Sequence, residues 1–322
     1  MKAFLVNKQG KHTNLELKTI EDPKPQKDEV IVRHTYIGVN YFDVCFRNGD
    51  YGLSQTPAIL GLEACGIIEK IGSDVTEYKV GERVAYATGP IGAYCEKRAV
   101  KQDYLISPPQ DISDEQIAGT LLKGMMAHAL LFRVYLAGRV KRILVHSAAG
   151  GVGHLLCQWA RHLGIEVIGT VGSEAKVSFA KSFGCNNVIN RANKDFLSEV
   201  DAMTGGDGVG LVYDGIGKDT ILKSIDCLWP MGMCISYGEA SGPTPPIDLN
   251  ALLVNSLYVT RPTLALYKTK RTELVLSARE VFANVINNVL KPHITAYKFN
   301  DIPKAHFDLE SKLTVGSLVI KV

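Results

Sequence analysis

Between an apolar, β-branched run at 143–145 and a segment of helical period stand Ala148, Ala149, Gly150, Gly151, Val152 and Gly153. Against the pattern G-x-G-x-x-G this turn reads Ala148-x-Gly150-x-x-Gly153, with Ala in place of the first Gly. Gly150 lets the backbone approach a pyrophosphate, and Gly153 lets the following helix lie close on the strand. The helix start then offers N–H groups and positive partial charge to an anion. This chemistry is dinucleotide binding. Alone, such a turn reads equally well as an ordinary βα connection. The strand before it, and Val152, Leu155, Leu156, Trp159 and Leu163 recurring at helical spacing after it, favour the binding reading.

The residue that chooses between the two nicotinamide dinucleotides belongs at the end of the next strand, about twenty residues on. That strand, 166–171, ends in Gly172, Ser173, Glu174, Ala175 and Lys176. No acid stands at the tip to hold ribose hydroxyls, and Glu174 is read as opening the next helix. A bare backbone at Gly172, a hydroxyl at Ser173 and a cation at Lys176 suit a 2′-phosphate. The expected cofactor is therefore NADPH.

The elements that must position these residues follow from composition and period. With 322 residues, 46% of them hydrophobic, and a net charge of +3, the chain has room for two domains and little general attraction to nucleic acid or membrane. The N-terminal run is strand-like and lacks the features of a signal peptide, and no stretch is expected to reach the ~20 apolar residues of a membrane span. The seven cysteines are scattered and never in C-x-x-C spacing, which suits a reducing cytoplasm and argues against a disulfide framework.

Up to about residue 109 the pattern is short strands and turns, including 29–38, 64–71 and a strand after Val80-Gly81-Glu82. A helix is expected from Asp114 with Ser113 as N-cap, then a second over 123–136. Beyond the fingerprint, strands at 143–145, 167–171, 188–190, 211–214, 233–237 and 257–259 alternate with helices, implying a parallel α/β sheet with right-handed crossovers. Two of these strands end in small-residue turns, 214–217 and 237–242, where a cofactor would lie. The tail reads as helices at 273–290 and 302–309 and a last strand at 317–322. That tail is expected to return to the first domain. The domains are read as 1–122, 123–264 and the returning segment 265–322.

The chain resembles the zeta-crystallin type of quinone oxidoreductase, in the zinc-independent branch of the medium-chain dehydrogenase/reductase superfamily. The resemblance rests on Ile37-Gly38-Val39-Asn40-Tyr41-Phe42-Asp43, Arg47-Asn48-Gly49-Asp50-Tyr51, Leu60-Gly61-Leu62-Glu63-Ala64-Cys65-Gly66, Leu122-Lys123-Gly124, the 146–153 turn and Leu257-Tyr258-Val259-Thr260-Arg261-Pro262. It implies a GroES-like β domain beside a Rossmann domain, with NADPH in the cleft between them. It also implies that Asn40, Tyr41 and Tyr51 form the wall around the nicotinamide and the acceptor, and that Ala149, Gly150, Gly151 and Val152 hold the pyrophosphate. Gly172, Ser173 and Lys176 then face the 2′-phosphate, Tyr237 and Gly238 edge the nicotinamide ribose, and Arg261 ends a cofactor-contacting strand.

Two departures stand out. Met126 replaces the hydroxyl of the family's usual Lys-Gly-Leu-Thr, placing a thioether beside the nicotinamide. Arg191 stands where relatives often have Tyr, offering a guanidinium fork to phosphate. The zinc enzymes of the superfamily carry a catalytic Cys and a Gly-His-Glu motif; here the matching residues are Asn40 and Gly61-Leu62-Glu63, so no metal is expected.

The activity so implied is hydride delivery from NADPH to a quinone, with an enone or alkenal acceptor as the nearest alternative. A structural or RNA-binding role is the alternative of another class, disfavoured by the lack of a Lys/Arg stripe with interleaved aromatics. His34, His128 and His146 are read as structural. Relatives are usually dimers through the strand matching 256–260, so a homodimer is expected.

Overall fold

The computed structural model describes residues 1–322. In chain order the strands are β1 (Lys2–Val6), β2 (Leu15–Thr19), β3 (Glu29–Val39), β4 (Ala58–Ile59), β5 (Glu63–Ile71), β6 (Arg83–Tyr86), β7 (Lys97–Lys101), β8 (Arg142–Val145), β9 (Glu166–Val171), β10 (Asn187–Asn190), β11 (Val209–Asp214), β12 (Leu228–Ser236), β13 (Tyr258–Thr260), β14 (Ile294–Lys298) and β15 (Ser317–Lys321). The helices that matter most are α1 (Tyr41–Asn48), α2 (Asp114–Ala129) and α3 (Gly151–His162). The chain divides into two compact units. One comprises Met1–Lys123, Lys268–Asn287 and Pro292–Val322; the other comprises Gly124–Tyr267 and Asn288–Lys291.

The first unit is mainly β. A small sheet runs β2-β1-β4, and a larger one runs β14-β15-β3-β5-β6 with β7 also paired to β3. The C-terminal strand β15 is antiparallel to β3, Leu318 opposite Val39 and Ile320 opposite Ile37, so the tail is stitched into this sheet by backbone bonds. Val30, Val32, Ile37, Ile68, Leu318 and Ile320 share one buried apolar cluster. The last strand is accompanied by β14, which sequence periodicity missed. β14 pairs with β15 in parallel, and its pattern carries no fully buried position, as expected of a sheet edge.

The second unit is a parallel sheet in the order β10-β9-β8-β11-β12-β13, the doubly wound Rossmann arrangement with β8 as its first strand. Every neighbour being parallel, all carboxyl ends lie on one side. Leu144, Ile168, Ile189 and Val212 from four adjacent strands share one buried cluster.

Two expectations are corrected. The helices expected at 114 and over 123–136 are one helix, α2, continued by a π-helical stretch, Leu130–Val134. Gly119 and Gly124 do not interrupt it. A Cβ on Gly119 would stand 2.8 Å from Ile294 Cδ1, so this glycine serves close packing and not a break. The second correction concerns membrane length: Asp114–Val134 is long and apolar enough to cross a membrane by length and composition, although most of it is buried in the fold. A central helix surrounded by protein needs apolar residues on all sides, which explains the composition. Ser113 does cap α2, accepting from the Gln116 N–H at 3.2 Å while Gln116 Oε1 accepts from the Ser113 N–H at 3.1 Å. All seven cysteines are buried thiols.

Candidate active site

On the second unit, the turn after β8 is shaped by backbone crowding. Ser147 adopts φ 54°, the left-handed region that L residues seldom occupy. A Cβ on Gly153 would lie 2.2 Å from the Ser147 carbonyl oxygen, and one on Gly150 would lie 3.0 Å from Ser147 Oγ. Glycine at 153 is therefore compulsory, and the bare backbone of 150–153 forms a cradle at the start of α3. No acidic residue occupies the first turn of α3 to compete for an anion. Ala148 is anchored by its N–H to the Thr170 carbonyl, at 3.0 Å, which locks the turn to β9.

Apart from Met126 on α2 and Asn40 on the first unit, the other cofactor residues expected from sequence stand at the carboxyl ends of the same sheet. Gly172 is exposed, with open space where a Cβ would be, and Ser173 begins the short 3₁₀ turn Glu174–Lys176. The Arg191 N–H donates to the Val171 carbonyl at 2.9 Å, which ties the residue after β10 to the tip of β9. The Arg191 side chain is half-buried and its Nε has no hydrogen-bond partner. Burial lowers its pKa, while Asp214 and Asp219 oppose that by holding the charge. Tyr237 is fixed to the end of β11 through its N–H to the Asp214 carbonyl, at 2.8 Å. Gly238 packs on Gly215, whose carbonyl oxygen would be 2.9 Å from an added Cβ. Arg261, after β13, is ion-paired with Glu239 at 2.6 Å and holds that carboxyl below its usual range. Met126 is buried on α2.

Behind these turns lies a network that sequence reasoning did not find. Asp214 Oδ1 accepts from the N–H groups of Ile216 (2.8 Å) and Gly217 (3.0 Å) and from Thr220 Oγ1 (2.9 Å); its Oδ2 accepts from Ser224 Oγ (2.8 Å). His146 bridges Thr170 Oγ1 at 2.8 Å and Ser224 Oγ at 2.9 Å. Burial drives His146 down to about 4, so it is a neutral ring joining the ends of β8, β9 and β11. The only hint in the sequence was an Asp directly before a Gly-x-Gly turn.

On the first unit, Asn40 caps α1. Its N–H donates to Asp43 Oδ2 at 2.9 Å, and its Nδ2 donates to Glu63 Oε2 at 3.1 Å. Glu63 also accepts from the Leu122 N–H (2.7 Å) and faces the Lys123 ammonium at 3.3 Å, both charges buried. Gly38 makes room for this carboxylate: a Cβ there would be 2.3 Å from Glu63 Oε2. Asp43 Oδ2 accepts from the Tyr94 hydroxyl at 2.9 Å, and that hydroxyl meets His306 Nε2 at 2.8 Å. Burial pushes the Asp43 carboxyl up to about 7 against the Asn40 and Tyr94 hydrogen bonds and the Lys123 charge. Burial, helped by Cys45, Glu310 and Asp50, pushes the Tyr41 phenol up to about 12, so it keeps its proton and remains an O–H donor. Tyr51 is held through its carbonyl, which accepts from Gln9 Nε2 at 2.8 Å. Asn40, Tyr41 and Tyr51 are thus gathered around one short helix.

Residues 26–142 match the family described as alcohol dehydrogenase GroES-like domain, and residues 151–278 match the zinc-binding dehydrogenase family. A quinone oxidoreductase of Pseudomonas aeruginosa is 39% identical over 95% of this chain and 95% of its own. A 2-haloacrylate reductase of a Burkholderia species is 38% identical over 99% and 98%. The crystal structure of Escherichia coli quinone oxidoreductase complexed with NADPH superposes with a TM-score of 0.96 at 37% identity, covering 100% of both chains. The chain therefore has a GroES-like domain and a Rossmann domain. A catalytic zinc does not fit: Leu62 offers no donor atom, the Glu63 carboxylate is taken by Lys123, Leu122 and Asn40, and no group of three or more His, Cys, Asp or Glu is arranged to hold a metal.

Proposed function

The chain belongs to the quinone oxidoreductase family of the medium-chain dehydrogenase/reductase superfamily, and from that premise we propose that it is an NADPH-dependent quinone reductase working without zinc. The observation that supports the cofactor reading is the cradle at 150–153, where Ser147 crowds the Cβ positions of Gly150 and Gly153 and keeps the backbone bare at the start of α3, as close approach of a pyrophosphate requires. When bound, NADPH supplies the hydride. The chain's residues bind and orient. Ala149, Gly150, Gly151 and Val152 take the pyrophosphate along the backbone of the turn, in which the Gly150 N–H is itself donated to the Ser147 carbonyl at 2.8 Å. Gly172, Ser173, Lys176 and Arg191 take the 2′-phosphate, and Tyr237, Gly238, Met126 and Arg261 border the nicotinamide ribose and its surroundings. Asn40, Tyr41 and Tyr51 serve the nicotinamide and acceptor side. The Tyr41 O–H, protonated at any physiological pH, is suited to hydrogen-bond a carbonyl oxygen as negative charge develops there.

Residues 123–264 are assigned to cofactor binding; 1–122 and 265–322 are assigned to the acceptor. Seven buried thiols without a disulfide support a cytoplasmic location. β13 ends its sheet and pairs only with β12, and Leu253, Val254 and Tyr258 beside it are exposed, which supports a homodimer through that edge.

Initial rates of reduced-nicotinamide oxidation, NADPH against NADH with an ortho-quinone, a para-quinone and a 2-alkenal, test the reading. Quinone-dependent oxidation selective for NADPH is expected. The likeness to a 2-haloacrylate reductase favours a second reading, reduction of an activated C=C bond; turnover of the alkenal alone would establish it in place of the first.

A further inference from the structure

His154 stands one turn into α3, and neither the glycine pattern nor the network behind the turns accounts for it. The residue is fully buried. Its ring meets Phe183 edge-on, with centroids 5.7 Å apart, and lies 6.3 Å from Phe179; those two rings, on and just after α4 (Val177–Ser182), stack at 4.4 Å. An apolar side chain would serve that contact, whereas an imidazole has a polar edge to place. The edge is placed on the cradle: Nδ1 lies 2.8 Å from the Gly150 carbonyl oxygen. A carbonyl only accepts, so Nδ1 carries a hydrogen and donates it. The same carbonyl already accepts from the His154 N–H at 3.0 Å, the first hydrogen bond of the helix. The bond from the ring is therefore not needed to start α3. It is a second donor on one peptide.

The other end of that peptide belongs to the cradle. The Gly150–Gly151 bond is trans, and in a trans peptide the N–H points away from the carbonyl. With the carbonyl turned into the helix, the Gly151 N–H faces outward from the helix start, where an anion is favoured. Two donors on the carbonyl hold the peptide plane in that orientation, and hydrogen bonds in series polarise one another, so the N–H becomes a stronger donor. We propose that His154 is a positioning residue for the pyrophosphate of the cofactor: through the Gly150 carbonyl it aims and strengthens the Gly151 N–H. This rests on the NADPH reading of the cradle and adds to it a side chain outside the glycine pattern. The role uses the Nδ1 hydrogen alone, and no proton is transferred.

The experiment compares the wild type with His154→Leu, His154→Met and His154→Asn. Leu branches at Cγ as Asn does, so that pair differs chiefly in whether a donor stands where Nδ1 stood, and Met fills the space by another route. Calorimetric titration uses NADPH and two fragments of it: 2′-phospho-ADP-ribose, which has the pyrophosphate, and 2′-AMP, which has the 2′-phosphate without the pyrophosphate. The Leu and Met variants are expected to bind NADPH and 2′-phospho-ADP-ribose about fivefold more weakly, as loss of one hydrogen bond predicts, and 2′-AMP within about twofold of the wild type. In steady-state oxidation the loss falls on the KM for NADPH and not on kcat. Asn restores the binding of both pyrophosphate ligands. Undiminished pyrophosphate binding in the Leu and Met variants, a loss that 2′-AMP shares, or an Asn variant as weak as Leu would overturn the positioning role while leaving the cofactor reading intact. A wild type that binds neither NADPH nor 2′-phospho-ADP-ribose would overturn the cradle reading with it.

Discussion

Arg191 shows what a single residue's surroundings add to its identity. In the sequence it is a cation in place of a usual Tyr. In the fold it is a half-buried guanidinium with an unpartnered Nε, between the β9 tip and the acids Asp214 and Asp219. Such a group is poised for a second anion, and a 2′-phosphate is the one the cofactor reading supplies. Arg191→Leu is expected to raise the Kd for NADPH about tenfold, the loss of one charge-assisted contact, and leave NADH within twofold; fluorescence titration with both cofactors measures it. Asn40 is a different case. Its residue type fits a nicotinamide contact, but its Nδ2 is given to Glu63, so its orientation depends on the Glu63–Lys123 pair. Removing one partner of a buried ion pair strands the other charge. Lys123→Met should therefore cost roughly 3–5 kcal/mol of stability, read from denaturant midpoints, whereas the double change Lys123→Met with Glu63→Gln should recover part of it.

Elements constrain the site through the distance between their backbones. The junction of β8 with α3 tolerates no side chain at 153, because the Ser147 carbonyl already occupies the space. Gly153→Ala is expected to lower stability by roughly 1–3 kcal/mol through overpacking and to weaken NADPH binding, since the cradle and the start of α3 must separate. Thermal melting with and without NADPH distinguishes the two losses. The same reasoning applies to β3, where Gly38 admits the Glu63 carboxylate. These glycines were legible as motif letters. Their reasons were only half legible: the turn pattern announced close approach at Gly150 and Gly153, but nothing near Gly38 in sequence indicates that Glu63 lies against it. β14 was missed for a related reason. It has no buried alternation of its own and is a strand because β15 is beside it.

At the scale of the whole molecule, buried titratable groups set the response to pH. Burial holds His34 and His146 at about 4 and His306 at about 3, against 6.5 when unfolded. Below pH 6.5 the unfolded chain binds protons that the folded histidines refuse, so stability falls on acidification toward pH 4. Asp43, raised from 3.8 to about 7, acts oppositely: the folded state holds its proton, and that contribution is lost as pH rises through 7. Three histidines outweigh one carboxyl, so the denaturant midpoint should be lower at pH 5 than at pH 7, and His34→Gln with His306→Gln should flatten the difference. The exposed β13 edge bears on assembly. A dimer in dilute solution is expected, and Tyr258→Lys, which adds a charge to an edge strand, should shift it toward monomer by light scattering.

By itself the sequence determined what depends on neighbours along the chain: the strand, turn and helix around Gly150 and Gly153, the absence of an acid at the β9 tip, the parallel alternation, and the lack of zinc donors at Asn40 and Leu62. Each is a local steric or chemical requirement, written in adjacent residues. The tertiary structure alone decided which distant residues meet. It joined Glu63 to Lys123, His146 to Ser224 and Tyr94 to His306, and it closed Phe42, Phe46 and Tyr51 into one aromatic surface. Spacing in sequence does not encode those meetings, because they follow from strand order, register and the turn after α1, and each is fixed only when the elements pack.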